Sequence, residues 1–144
     1  MLASLFGGCM AKIRVVLADD HHAVLAEVRQ ELGEEFEIVA AVEDGGKAVE
    51  AVRRLDPDVL VLDISMPVLN GLQAASRLQA ANCRTKIVFL TIHEDPDFLK
   101  AALSAGASGY VTKSRLSDLV PAIREALLGR TFVSESVKDW MPGS

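Results

Sequence analysis

The sequence predicts an α/β fold built on a five-stranded, doubly wound parallel sheet. Two observations predict it. Short apolar runs alternate with longer segments of helical periodicity, and polar residues follow the apolar runs at their carboxyl ends. The run Val59–Leu62 is apolar throughout, as expected for a central strand buried on both faces. With 144 residues, the chain is long enough to bury one core of this kind.

Each element has a local signal of its own. We predict strands at 13–18, 36–42, 59–62, 86–91 and 108–112, and helices at 22–32, about 46–55, 72–81, 96–106 and 117–129. Gly33 is a natural end for the first helix. Asp95 can cap the fourth helix and Pro96 fits its first position, since that position needs no N–H donor. Ser117 and Asp118 are expected to cap the last helix.

Composition excludes several classes of protein. The net charge is −5 and the fifteen Lys and Arg residues are scattered, which argues against a nucleic-acid surface. Cys9 and Cys83 are too few for a disulfide framework or a zinc site, so we expect free thiols in a reducing cytoplasm. No apolar stretch is long enough to span a bilayer. Half of the residues are apolar and the mean hydropathy is +0.26, which favours a compact globular domain.

Three segments are expected along the chain. Residues 1–11 are interpreted as a flexible leader, because they lack the basic start and long apolar stretch of a signal peptide. Residues 12–130 carry the alternating pattern and form the folded domain. Residues 131–144 are too few to fold alone and are interpreted as a C-terminal tail or the start of a linker.

Acidic residues stand where two of the predicted strands end. Asp19 and Asp20 follow the first strand, and Asp63 follows the third. Because the carboxyl ends of parallel strands share one edge of a sheet, these carboxylates should converge. They would repel one another unless a divalent cation lay between them, and oxygen ligands suit Mg²⁺. Thr91 and Lys113 fall at the ends of the fourth and fifth strands, so this edge has the groups for phosphate chemistry.

The motifs in this order resemble the receiver domain of two-component response regulators. The residues that carry the resemblance are Asp19-Asp20, Asp63, Met66-Pro67, Gly71, Thr91 and Lys113, over about residues 12 to 130. Asp19-Asp20-His21 and the run Gly106–Lys113 are similar to the subfamily that usually carries a C-terminal helix-turn-helix domain. The resemblance implies a flavodoxin-like (βα)5 receiver fold and a part in transcription regulation.

The resemblance also implies a chemical site. Asp63 would be the phosphoacceptor, whose carboxylate attacks a phosphoryl group to give an acyl phosphate. Asp19, Asp20 and Asp63 would hold Mg²⁺, or Mn²⁺ in its place, and the backbone carbonyl of Ser65 would complete the protein ligands. Such a chain is not an enzyme in the usual sense, because it would catalyse only its own phosphorylation and dephosphorylation.

Further residues are assigned by the same resemblance. Lys113 would pair with phosphate oxygens, and Thr91 would donate its hydroxyl to the phosphoryl group. Thr91 and Tyr110 would form the switch, in which inward movement of Thr91 vacates space for the tyrosine ring. Ser65 and His93 would flank the site and tune how fast the phosphoryl group is lost. The sequence departs from the family at Ser114, where a proline usually follows the lysine.

The implied partners are a sensor histidine kinase or a phosphotransfer protein. A homodimer through the face between the fourth and fifth helices is a second implied contact. No helix-turn-helix segment follows residue 130, so direct DNA binding by this chain is not expected, and neither is a membrane. His21, His22 and His93 are interpreted as polar loop residues, with His21 at the rim of the site.

Two other functions fit parts of the pattern. The first is a receiver-like scaffold that binds a partner without being phosphorylated, which would have no need of three converging carboxylates. The second is an acyl-phosphate phosphohydrolase, which would need an acid/base group for rapid turnover. No Asp lies two residues after Asp63, where Ser65 stands instead. Taken singly, Asp19-Asp20 would more often cap a helix, and Tyr110 would more often pack in a core.

Overall fold

A computed structural model describes residues 11–138. It contains one parallel sheet with the strand order β2-β1-β3-β4-β5-β6. The strands are β1 Ile13–Ala18, β2 Phe36–Val42, β3 Val59–Leu62, β4 Lys86–Thr91, β5 Gly109–Thr112 and β6 Phe132–Val133. The predicted doubly wound α/β fold is confirmed, with a short sixth strand added at one edge.

Helices connect the strands and cover both faces of the sheet. They are α1 His22–Leu32, α2 Gly45–Leu55, α3 Gly71–Ala80, α4 Pro96–Ser104, α5 Leu119–Leu127 and α6 Glu135–Lys138, with a 3₁₀ helix at Lys113–Asp118. Residues of α2, α3 and α4 pack in one core layer with Leu60 and Leu62. Residues of α1 and α5 pack in the other layer with Val59 and Val61. Successive residues of β3 therefore serve opposite layers, which explains why this strand is apolar throughout.

The predicted cap of the last helix is wrong. Asp118 has helical backbone angles, and its side chain makes no cap hydrogen bond. The chain already runs as a 3₁₀ helix before α5, so Asp118 does not sit at the extended turn that a capping side chain needs. Its carboxylate instead accepts hydrogen bonds from Arg115 Nε at 3.0 Å and Ser134 Oγ at 2.9 Å. The predicted cap of α4 is present, since the Asp95 side chain accepts a hydrogen bond from the N–H of Asp97.

The segment after α5 packs against the edge of the sheet. β6 pairs with β5 in parallel, and the N–H of Ser134 donates to the carbonyl of Tyr110 at 2.9 Å. Val133 and Val137 are buried in the same core layer as Tyr110. The Ser134 hydroxyl, fully buried, also accepts from the N–H of Thr112 at 3.2 Å. Residues 132–138 thus extend the packed structure beyond α5.

Some expectations concern residues outside the described range. The leader as far as residue 10, with Cys9, and the last six residues lie there. The three-segment division of the chain stays a prediction. Between residues 11 and 138, no helix has the length and apolar character needed to cross a membrane.

Candidate functional site

Five polar side chains lie at or just beyond the carboxyl ends of four strands. They are Asp19, Asp20, Asp63, Thr91 and Lys113. Strand pairing brings the acidic ones together, because β1 and β3 are neighbours with Ala18 opposite Leu62. The N–H of Asp63 donates to the carbonyl of Ala18 at 2.9 Å, which fixes Asp63 beside the end of β1. The ends of β1 and β3, which carry the three carboxylates, therefore lie side by side.

The carboxylates form a tight cluster. Asp19 and Asp63 are buried, with 4% and 3% of their surface exposed, and Asp20 lies at the solvent side. One ligand atom from each of Asp19, Asp20, His21 and Asp63 lies within 4.8 Å of the others. A group of acidic oxygens this close is suited to a divalent cation.

Lys113 supplies the positive charge that faces this cluster. Its ammonium lies 2.8 Å from Asp19 Oδ2 and 3.3 Å from Asp63 Oδ2. The lysine begins the 3₁₀ helix after β5, and its side chain reaches Asp63 at the end of β3, two strands away in the sheet. Its side chain is only 14% exposed, so the charge is directed into the site.

The electrostatics of the cluster leave an excess of negative charge. Burial raises the pKa of Asp63, and the charge of Asp19 raises it further, while Lys113 and the N–H of Ile64 oppose the rise. Burial alone would lower the pKa of Lys113, but the hydrogen bonds and charges of Asp19 and Asp63 outweigh it, so the pKa is raised. One ammonium therefore serves two buried carboxylates. The donor set fits a hard divalent cation, which would relieve the remaining repulsion.

Thr91 and Tyr110 are joined through one residue. Thr91 is fully buried, and its hydroxyl oxygen accepts a hydrogen bond from the N–H of His93 at 3.2 Å. The Tyr110 hydroxyl donates to the carbonyl of His93 at 2.7 Å, and its ring is buried beside Phe89. Burial raises the pKa of Tyr110, with the charge of Asp95 adding to the effect, so the phenol stays a donor. The shared contact with His93 is not readable from the sequence spacing.

Ser65 and His93 meet at the mouth of the site. Ser65 Oγ lies 3.0 Å from His93 Nε2, and the His93 ring stacks on Phe98 with centroids 4.1 Å apart. That these two residues flank the site and tune the loss of the phosphoryl group stays a prediction. The role of the Ser65 carbonyl as a cation ligand stays a prediction.

The loop after Asp63 folds back tightly onto the strand end. The N–H of Gly71 donates to the carbonyl of Ile64 at 2.7 Å. A Cβ at Gly71 would lie 1.9 Å from the carbonyl oxygen of Asp63, so only glycine fits. Asn70 begins α3 with a capping box, in which its side chain and that of Gln73 bond each other's backbone N–H groups. This arrangement holds the backbone of Asp63 in place.

Two residues have contacts that sequence reasoning did not supply. His21 Nδ1 lies 3.1 Å from both Asp19 Oδ1 and Asp20 Oδ1, and its position directly after the acidic pair was the available signal. Ser114 Oγ lies 3.2 Å from Thr112 Oγ1 and donates to Glu94 at 3.2 Å. The hydroxyl at the position where the family usually has proline thus ties the Lys113 loop to the loop after β4.

Comparisons with known proteins identify the family. Residues 15–124 match the family model described as response regulator receiver domain. The chain is 37% identical over 129 residues to the transcriptional regulatory protein DegU of Brevibacillus brevis, covering 88% of this chain and 55% of DegU. It is 38% identical over 125 residues to the oxygen regulatory protein NreC of Staphylococcus haemolyticus, covering 84% of this chain and 58% of NreC. The chain therefore spans less than two thirds of these curated relatives.

A solved structure agrees with the sequence matches. The crystal structure of a LuxR-family two-component response regulator from Aurantimonas sp. SI85-9A1 superposes with a TM-score of 0.83 at 33% identity. The superposition covers 90% of this chain and 94% of the chain in that crystal structure. Together with the family match and the acidic strand ends, this shows that the chain belongs to the response regulator receiver domain family.

Proposed function

We propose that this receiver domain accepts a phosphoryl group on Asp63 and is switched by it. The observation that carries the proposal is the pairing of Asp63 Oδ2 with the Lys113 ammonium at 3.3 Å, inside a cluster with Asp19 and Asp20. A carboxylate with an adjacent buried cation and an acidic cation site has the parts needed for phosphoryl transfer. A scaffold without phosphorylation would gain nothing from this repulsive cluster.

The transfer step follows from the residues at the site. A carboxylate oxygen of Asp63 attacks phosphorus, the bond from phosphorus to the donor breaks, and an acyl phosphate forms. Lys113 faces both Asp19 and Asp63, so its charge is available to the oxygens of the arriving phosphoryl group. The Thr91 hydroxyl would give up its contact with the His93 N–H and donate to the phosphoryl group. Hydrolysis of the acyl phosphate would release inorganic phosphate and restore the free carboxylate of Asp63.

Asp19, Asp20, Asp63 and the Ser65 carbonyl would hold Mg²⁺, which neutralises negative charge on the transferring group. The acidic residues are already close enough together to share a cation. Besides burial, the negative charge of Asp19 raises the pKa of Asp63. We therefore expect phosphorylation to depend on a divalent cation.

The proposed donor is a sensor histidine kinase or a phosphotransfer protein. The proposed output is a change in the face formed by α4 and α5, where a partner or a second copy of the chain would bind. Support comes from the bonds that Thr91 and Tyr110 both make to His93, which leads into α4 through Asp95. The relatives named as transcriptional regulators favour a role in transcription control, with DNA contacts made outside this chain.

Intact mass measurement tests the proposal. The chain is incubated with Mg²⁺ and a small acyl-phosphate donor, and we expect one added phosphoryl group, about 80 Da. The Asp63→Asn variant and a sample with chelator should show no addition. Asp44→Asn is the matched control, because Asn still caps α2 and the residue lies outside the acidic cluster.

Two results would count against the proposal. One is an unchanged mass of the wild-type chain with several donors, which would favour the unphosphorylated scaffold. The other is an addition that persists in Asp63→Asn, which would place the acceptor elsewhere.

A further inference from the structure

His21 is the one member of the acidic cluster with no part in the proposed phosphoryl transfer. Its ring nitrogen Nδ1 lies 3.1 Å from Asp19 Oδ1 and 3.1 Å from Asp20 Oδ1. Its backbone is anchored at the same place, because the N–H of His21 donates to Asp19 Oδ1 at 2.8 Å. The ring is thus held over two carboxylate oxygens from different side chains.

The ring nitrogen of His21 lies equally far from one oxygen of each aspartate. A proton on Nδ1 lies along one direction in the ring plane and cannot point at both oxygens with good geometry. Adjacent ligand atoms around an octahedral cation with bonds of about 2.1 Å are about 3 Å apart. The two separations of 3.1 Å match such an edge, so the ring nitrogen is spaced from each of the two oxygens as neighbouring ligands are.

The two oxygens of Asp19 face opposite sides of the site. Oδ2 is 2.8 Å from the Lys113 ammonium, whereas Oδ1 is on the side of His21. A divalent cation avoids the ammonium and would occupy the side of Oδ1. The His21 side chain is 63% exposed, so the ring can adjust to a cation that arrives from solvent.

We infer that His21 Nδ1 is a ligand of the divalent cation at this site, so that the site has mixed oxygen and nitrogen donors. Imidazole favours Mn²⁺, Co²⁺ and Zn²⁺ over Mg²⁺, which prefers oxygen ligands. His21 therefore sets the cation preference of the domain towards first-row transition metals. The inference rests on the proposed function, because it concerns the cation that would serve phosphorylation of Asp63.

Pulsed electron paramagnetic resonance on the Mn²⁺-loaded full chain tests the assignment directly. We expect nuclear modulation from a directly bound ¹⁴N in the wild type and its loss in His21→Ala. His22→Ala is the matched control and should keep the signal. His22 is adjacent in sequence, but its ring nitrogen pairs with Glu43 at 2.9 Å. The wild-type chain grown with ¹⁵N-histidine should show the ¹⁵N pattern, a result that needs no variant.

Calorimetric titration gives a second measurement. His21→Ala should lower the affinity for Co²⁺ about tenfold or more and change the affinity for Mg²⁺ much less. Absence of Mn²⁺ binding, absence of ¹⁴N modulation in the wild type, its survival in His21→Ala, or equal losses for Co²⁺ and Mg²⁺ would each overturn the inference.

The mass assay separates this inference from the proposed function. Nitrogen ligation in a chain that never gains a phosphoryl group supports the role of His21 and sinks phosphorylation. Phosphorylation in a chain without nitrogen ligation supports the proposed function and overturns the role of His21 as a ligand.

Discussion

Asp63 carries an unfavourable charge in the cation-free protein. Burial and the neighbouring Asp19 raise its pKa above the ordinary value of 3.8. Between 3.8 and the raised pKa, the folded state binds more protons than the unfolded state, so stability falls as the pH rises through this window. The stability that Asp63 contributes through its raised pKa is complete only below 3.8 and is lost as the pH rises through the raised pKa.

We therefore expect Asp63→Asn to stabilise the cation-free chain. Near neutral pH the free energy of unfolding should increase by about 1 kcal/mol, because an amide of similar shape replaces a buried charge while Asp19 still pairs with Lys113. The gain should shrink in acid, where Asp63 is protonated in both states. Urea unfolding of both chains with chelator, at neutral and acidic pH, measures it.

Added Mg²⁺ provides the control for this stabilisation. It should raise the stability of the wild type more than that of Asp63→Asn, because a ligand of the folded state stabilises by mass action. A variant that is less stable than the wild type at neutral pH without cation would contradict the argument.

At the scale of single residues, the sequence predicted the members of the site better than their contacts. Asp63 and Lys113 follow apolar runs, and the topology of a parallel sheet brings such positions to one edge. The contacts of His21 and His93 depend on loop conformation and side-chain rotamers, which no periodicity encodes. The hydrogen bonds of Thr91 and Tyr110 with the backbone of His93 depend on loop conformation in the same way.

At the scale of elements, the turn from β3 into α3 determines where Asp63 sits. Gly71→Ala would place a Cβ 1.9 Å from the Asp63 carbonyl oxygen, and a backbone atom cannot move aside as a flexible side chain can. We expect a loss of about 2 kcal/mol in the free energy of unfolding. Phosphorylation should also slow, because the strand end that carries the acceptor must shift.

Gly46→Ala is the matched control for this substitution. Its nearest contact is the oxygen of Asp44 that caps α2, at 3.2 Å, so a shift of a few tenths of an ångström relieves it, and alanine is the better helix former. We expect a change within about 0.5 kcal/mol and an unchanged phosphorylation rate. Chemical denaturation and the mass assay on both variants measure the two effects, and equal effects would refute the explanation from backbone contact.

The elements that periodicity predicts are those with many residues. The first five strands have four to seven residues and the four helices between them have nine to eleven, so apolar runs and helical periodicity make both predictable. β6 has two residues and forms only because the edge of β5 supplies its hydrogen-bond partners. At the end of the 3₁₀ helix, the Asp118 carboxylate accepts hydrogen bonds from Arg115 and Ser134, and sequence patterns do not reveal these contacts.

At the scale of the whole molecule, residues 132–138 belong to the main core. Val137 is fully buried in the layer that contains Phe89, Leu99 and Tyr110. The segment also shares hydroxyl contacts with β5, since Thr112 Oγ1 lies 3.1 Å from Ser136 Oγ. A segment held by both kinds of contact should unfold together with the sheet rather than before it.

Val137→Ala tests this cooperativity. Removing two buried methyl groups should lower the free energy of unfolding by about 2 kcal/mol, since the site lies inside a closed layer. Leu128→Ala is the control, because Leu128 is 65% exposed and its loss should change stability by less than about 0.5 kcal/mol. Hydrogen exchange distinguishes cooperative unfolding of the whole domain from separate fraying of residues 132–138. In a cooperative domain, the slowest amides of β3 exchange faster in Val137→Ala. In a domain whose last segment frays separately, only the amides of residues 132–138 would respond and global stability would stay unchanged.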